Sequence, residues 1–198
     1  QRIFTTSCDW IRSDVVLTFA IAIVFLGMSA AVFGHWLEKA GPRKAGFAAA
    51  LAWGGGLMIT SLGASFHQLW LIWLGMGVIG GIGLGLGYIS PVSTLIKWFP
   101  DRRGLATGMA IMGFGGGAMI GMPLGDSLIN SYGVAQTFFI MGCIYVVSMS
   151  IGAFGYRVPV EGWKPEGWKP EAKKASTMIS ANHVHVNVAH KTPQFWFL

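Results

Sequence analysis

Charged residues in this chain are confined to short islands between long apolar tracts. From Val15 to Leu37 no Asp, Glu, Lys or Arg occurs. From Ala45 to Ile96 none occurs across 52 residues, and from Gly104 to Tyr156 only Asp126 interrupts a run of 53. A helix rises about 1.5 Å per residue and needs about 20 residues to cross a hydrocarbon core about 30 Å thick. The first tract therefore has room for one span and each longer tract for two. Both long tracts carry a polar turn near the middle, Ser65-Phe66-His67-Gln68 and Asn130-Ser131-Tyr132-Gly133. The pattern predicts five helices, at 15–37, 45–65, 69–96, 104–129 and 135–156. Strands are excluded: an open sheet cannot satisfy its edge in lipid, and no alternation of the barrel type is present.

Composition sharpens this picture. Hydrophobic residues make up 53% and charged residues 11% of 198, where a soluble domain carries roughly 25% charged residues. So few charges cannot cover a water-facing surface, and the mean hydropathy of +0.56 agrees. A cytosolic enzyme, a disulfide-stapled secreted domain and a disordered tail are poor fits. The net charge of +6 would suit nucleic acid, but its placement argues otherwise. With the first residues outside, the inner islands hold Lys39, Arg43, Lys44, Lys97, Arg102, Arg103, Arg157, Lys164, Lys169, Lys173, Lys174 and Lys191, against Arg2 and Arg12 outside. Twelve against two is the positive-inside distribution of a multi-pass membrane protein. The basic residues are then membrane-proximal loops that meet lipid headgroups, and no nucleic-acid partner is expected.

The organisation that follows is an extracytoplasmic loop at 1–14, five spans within 15–156, a cytoplasmic linker at 157–193 and the start of a further helix at 194–198. The last assignment rests on Pro193 followed by Phe195-Trp196-Phe197-Leu198. Together with a first residue that is not Met, it gives the expectation of a fragment of a longer protein.

Among motifs, Gly75-Met76-Gly77-Val78-Ile79-Gly80 is a literal GxGxxG. No strand precedes it and it lies inside an uncharged helical run, so a dinucleotide site is excluded. The glycines have a helical meaning instead. Gly77, Gly81 and Gly85 recur every fourth residue, as do Gly113, Gly117, Gly121 and Gly125 in the next span. Such stripes let two helices approach closely; they serve either static packing or helices that slide during a transport cycle. Between the first two spans, Gly34, Glu38, Lys39, Gly41, Arg43 and Lys44 combine a helix-ending glycine, an acid and basic residues. The acid can attract a helix N-terminus and the bases can sit at helix ends, a conformational latch, or the loop is a plain positive-inside turn. Asp126, the one acid inside a span, lies near the outer end of its helix and is read as interfacial. Trp53, Trp70, Trp73 and Trp98 are read mainly as interface anchors. His183, His185 and His190 have no acid or Cys cluster beside them, so no metal site and no cofactor are expected. Cys8 and Cys143 imply no disulfide. No nucleophile–base pair or paired carboxylates point to an enzyme.

Three of these segments carry a resemblance. Gly34 to Lys44 resembles the loop motif of the major facilitator superfamily, with Glu38 where Asp is usual. Tyr88-Ile89-Ser90-Pro91-Val92-Ser93 and Lys97-Trp98-Phe99-Pro100-Asp101-Arg102-Arg103-Gly104-Leu105-Ala106-Thr107-Gly108 resemble the oxalate/formate antiporter family within it. So does the repeat Glu161-Gly162-Trp163-Lys164-Pro165, which recurs at Glu166 to Pro170. The resemblance implies an all-α bundle in which these spans are the second to sixth of twelve, with the C-terminal half as the missing partner. It also implies alternating access and exchange of small carboxylates. Met122-Pro123 stands near the Gly-Pro motif that antiporters of the superfamily often carry, with Met in place of glycine. The arginine that many proton-coupled members hold near the start of their fourth helix is absent from Leu69 to Gly87, which favours anion exchange.

Tyr88 is the candidate substrate contact. It lies mid-membrane, three residues before Pro91, which breaks the helical ladder, and the resemblance places its helix on the central cavity. Aromatic packing is the other reading of this residue. No Lys or Arg lies within a span, so the positive charge that a carboxylate needs is expected in the other half. Two further readings stand beside exchange: a lactate- or pyruvate-type carrier, and a half-length membrane scaffold that transports nothing.

Overall fold

A computed structural model describes Trp10, residues 12–160 and Trp163; the helix start expected at 194–198, most of the linker and its histidines lie outside them. The described residues are all-α. Five helices follow one another: α1 at Arg12–Ala40, α2 at Pro42–Ser65, α3 at Leu69–Trp98, α4 at Arg103–Tyr132 and α5 at Val134–Gly155. Each is long and apolar enough to span a membrane.

The helices run past the uncharged tracts, because polar side chains need not leave the helix where it emerges from lipid. α1 continues through Glu38 and Lys39 to Ala40, so Gly34 lies inside it and does not end it. Gly41 makes the break, with φ +86, and Pro42 opens α2 at its first position. Between α4 and α5 the turn shrinks to Gly133, φ +82. Asn130, Ser131 and Tyr132 stay helical, and the Ser131 hydroxyl donates back to the Ser127 carbonyl at 2.9 Å.

Small residues form the interior. Half of the most apolar stretch of α2 is buried, against 6% in α4. Ala45, Ala49 and Ala50 have no exposed surface, and the largest fully buried side chains are Thr60 and Ser90. Large apolar groups such as Phe19, Leu51, Phe139, Ile151 and Phe154 point outward. Lipid tails are as apolar as leucine, so a bundle gains little by turning leucines inward. Close backbone approach and interhelical hydrogen bonds hold it instead. Ser29 of α1 donates to the Ile82 carbonyl of α3 at 3.2 Å, and Ser61 of α2 donates to the Ala135 carbonyl of α5 at 2.6 Å.

Two local features escape the hydropathy pattern. Within α3, Trp73–Ile79 is π-helical. Pro91 and Pro123 lie inside α3 and α4, where each removes one ladder donor. Around Pro91, the Ser90 hydroxyl donates to the Leu86 carbonyl and the Thr94 hydroxyl to the Ser90 carbonyl, both at 2.7 Å.

Candidate functional site

α1, α2, α3 and α5 form one close-packed block, and the glycines say how closely. A Cβ on Gly81 would stand 2.7 Å from the Ala22 carbonyl of α1, and one on Gly77 2.9 Å from Ile21. On Gly85 it would run into the Ser29 hydroxyl. The stripe Gly77, Gly81, Gly85 is thus the seat of α1. Gly56 of α2 would meet the Gly75 carbonyl at 2.5 Å, and Gly142 of α5 the Gly54 carbonyl at 2.9 Å.

α4 stands apart from this block. A Cβ at Gly113, Gly117 or Gly125 would meet nothing within 4 Å, and one at Gly121 only the Tyr145 hydroxyl at 3.0 Å. Between α4 and the block runs an apolar groove of about 550 Å³, lined by Trp53 of α2, Gly83 and Gly87 of α3, Gly113, Gly117 and Gly121 of α4, and Tyr145 and Met149 of α5, among others. Trp53 meets Tyr145 edge-on, ring centroids 6.1 Å apart. Trp53 lies deep inside α2, so it is a groove wall and not an interface anchor. Sequence reading also passed over Phe114 and Tyr145. Their one signal was an aromatic beside or facing a glycine stripe.

Tyr88 lies beside this groove, one residue past Gly87 toward the α3–α4 loop. It is half-buried and packs edge-on against Phe114 at 5.9 Å. With Gly87, Pro91, Met109, Ala110 and Gly113 they line a smaller pocket of about 290 Å³. Pro91 leaves the Gly87 carbonyl without its helical donor at this point. The pocket therefore offers an aromatic wall, one phenol hydroxyl and one backbone acceptor, and among the described residues no positive charge lines it.

Arg43 and Trp98 meet the end of α5 on the same α3–α4 loop side of the block. Arg43 Nε donates to the Tyr156 carbonyl, just past α5, at 2.6 Å. A cation at a helix C-terminus meets the negative end of the helix dipole. The Trp98 indole donates to the next carbonyl, Arg157, at 2.7 Å, and its ring packs on Trp163 at 5.2 Å. The first Trp of the repeated linker pentapeptide thus rests on the end of α3. Burial pushes the Tyr156 phenol above its ordinary value of 10.0. Glu38, Lys39 and Lys44 are exposed and join no ion pair among the described residues, where the one pair is Arg102 with Asp101 at 3.6 Å. Asp126 is exposed, six residues before the end of α4. Trp70 is exposed and bonds Gln68, whereas Trp73 donates to the Asp14 carbonyl of α1. No cluster of metal ligands occurs among the described residues.

The model of the Major Facilitator Superfamily matches residues 4–198. The chain belongs to this superfamily. With five helices of spanning length among the described residues, it is an integral, multi-pass membrane protein. It is 29% identical over 171 residues to the oxalate:formate antiporter of Oxalobacter formigenes, covering 83% of this chain and 36% of that one. It is 31% identical over 141 residues to the uncharacterized MFS-type transporter YhjX of Escherichia coli, covering 71% and 34%. A shorter likeness, 36% over 87 residues, is to the apicoplast pyruvate carrier 1 of Toxoplasma gondii, covering 42% and 16%. The chain spans about a third of the length of the first two of these superfamily relatives.

Proposed function

We propose that this chain is the larger part of the N-terminal half of a secondary transporter that exchanges small carboxylates by alternating access, in the manner of oxalate against formate. The observation that carries the reading is the likeness to an oxalate:formate antiporter across 83% of the chain, with Tyr88 at the groove between α3 and α4. In this reading the Tyr88 hydroxyl donates to a substrate carboxylate and Phe114 holds its ring. A carboxylate entering lipid depth must be met by positive charge. The spans bring none, so the cationic anchors come from the C-terminal half. The Gly34–Lys44 loop latches the inner face, where residues 157–193 lie on the cytoplasmic side of an inner or plasma membrane.

Proteoliposomes holding the full-length protein and loaded with formate test the substrate. Uptake of labelled oxalate, chased by external formate, is the expected result. A second reading, a monocarboxylate carrier, draws on the likeness to the pyruvate carrier. Lactate or pyruvate uptake with no oxalate signal would replace the first reading by the second. Mid-membrane contact of the bound anion with a Lys or Arg from residues 15–156 would overturn the placement of the anchors.

A further inference from the structure

The pocket of about 290 Å³ at Tyr88 and the groove of about 550 Å³ between α4 and the block have three wall residues in common: Gly87, Gly113 and Phe114. Two of the three carry no side chain, so the Phe114 phenyl ring is the one side chain that belongs to both walls. Its place in the sequence fits that position. From Arg103 to Ser131, α4 has no other aromatic residue, and Phe114 is flanked by Gly113 on one side and by Gly115, Gly116 and Gly117 on the other. A Cβ at any of these four glycines would meet nothing within 4 Å. The ring is held instead by its edge-on contact with Tyr88, centroids 5.9 Å apart.

The spaces on the two sides of the ring differ in chemistry. The smaller one holds the Tyr88 phenol and the Gly87 carbonyl that Pro91 leaves free, so it suits a polar head. Beyond the ring, the groove is walled by Leu84, Ala118, Met122 and Met149, by the rings of Trp53 and Tyr145, and by glycines. Apart from the Trp53 indole N–H and the Tyr145 hydroxyl, those side chains offer apolar surface only. Such a wall favours an alkyl body, since each methylene group taken out of water there strengthens binding.

We infer that Phe114 is a partition that sets the size of the carboxylate this site takes, an inference that rests on the proposed carboxylate exchange. With the ring in place, an anion whose head is at Tyr88 has only the smaller space for its remaining atoms. The class admitted is then that of short carboxylates without an extended apolar body. Without the ring, the pocket opens past Gly87 and Gly113 into the groove. A linear carboxylate then keeps its head at Tyr88 and lays its tail along Gly117 and Gly121. The path from Phe114 to Gly121 follows seven residues of helix, about 10 Å. Phe114 determines specificity by occupying space, while Tyr88 keeps the contact with the head group.

Counterflow into formate-loaded proteoliposomes holding the full-length protein, with linear monocarboxylates from acetate to octanoate, reads the partition. In the wild-type protein kcat/KM is expected to fall as the tail grows. In Phe114→Ala it should rise beyond butanoate, by up to about fourfold for each methylene group seated in the groove, while exchange of the short acids persists. Gly117→Leu puts a side chain into the same groove, so the double variant Phe114→Ala/Gly117→Leu should lose the gain. Coincident profiles for wild type and Phe114→Ala overturn the partition. So does a gain that survives in the double variant, or a wild-type profile that already rises with length. Where Phe114→Ala does not fold, Phe114→Leu decides, with a smaller gain of the same sign expected and an unchanged profile counting against the partition. A wild-type protein that exchanges no carboxylate removes the proposed function and this inference with it, whereas an active wild type with coincident profiles removes the partition alone.

Discussion

Two glycine stripes of identical spacing meet different fates in this protein. Gly77, Gly81 and Gly85 are filled by the backbone and side chains of α1. Of the α4 stripe, Gly113, Gly117 and Gly125 meet nothing and Gly121 meets only a phenol oxygen. Spacing of four makes a smooth helix face and no more. A partner in this chain turned one such face into packing, and the other is left as the wall of a groove.

The comparison breaks most readily at Gly81. Leucine there must enter the space of the Ala22 carbonyl, 2.7 Å from the first added carbon, and backbone cannot step aside. Such overpacking costs about 3 kcal/mol or more. Gly81→Leu should abolish a monodisperse size-exclusion peak, whereas Gly117→Leu should preserve it. If both variants behave alike, the contrast between the stripes is wrong. Next in size is Tyr88→Phe, at the border of the two regions. A lost hydrogen bond to a charged group is worth about 1.5–3 kcal/mol. Exchange should fall roughly tenfold to a hundredfold in kcat/KM with protein yield unchanged, measured in counterflow; unaltered exchange would leave Tyr88 as packing for Phe114.

A smaller effect sharpens the picture of the block's rim. Arg43→Gln removes a cation from the end of α5, where a helix-dipole contact contributes about 0.3–1 kcal/mol at an exposed site. The melting temperature should drop slightly and the loss should shrink at high salt; a salt-independent loss would deny the electrostatic origin. The smallest expected change is in Gly117→Ala, less than about 0.5 kcal/mol in stability, since its methyl group enters open space. A large loss would mean that another helix covers α4 in the whole protein as tightly as α1 covers α3, which would narrow the difference between the stripes to a matter of which partner is in view.

Much of the site was legible piecewise and little of it as a site. Tyr88 and Pro91 stood out because a tyrosine and a proline are conspicuous in a charge-free run. Phe114 and Tyr145 did not, because aromatics in apolar spans usually face lipid. Trp53 looked like an interface anchor until α2 brought it over Gly80 and Gly83. Arg43 was chosen as a loop cation, but its acceptor, the Tyr156 carbonyl, is 113 residues away. No local pattern encodes such a meeting.

The sequence by itself determined that the chain lies in a membrane, how many helices it offers there, and its all-α class. Those follow from one-dimensional facts: a lipid core sets a length, tolerates almost no charge, and leaves backbone groups no partner outside a helix or closed barrel. Only the tertiary structure decided which glycine face has a neighbour and where α3 changes from π to α. In lipid, apolar side chains gain little by choosing one helix over another, so pairing is settled by backbone fit and single hydrogen bonds between residues far apart in the chain.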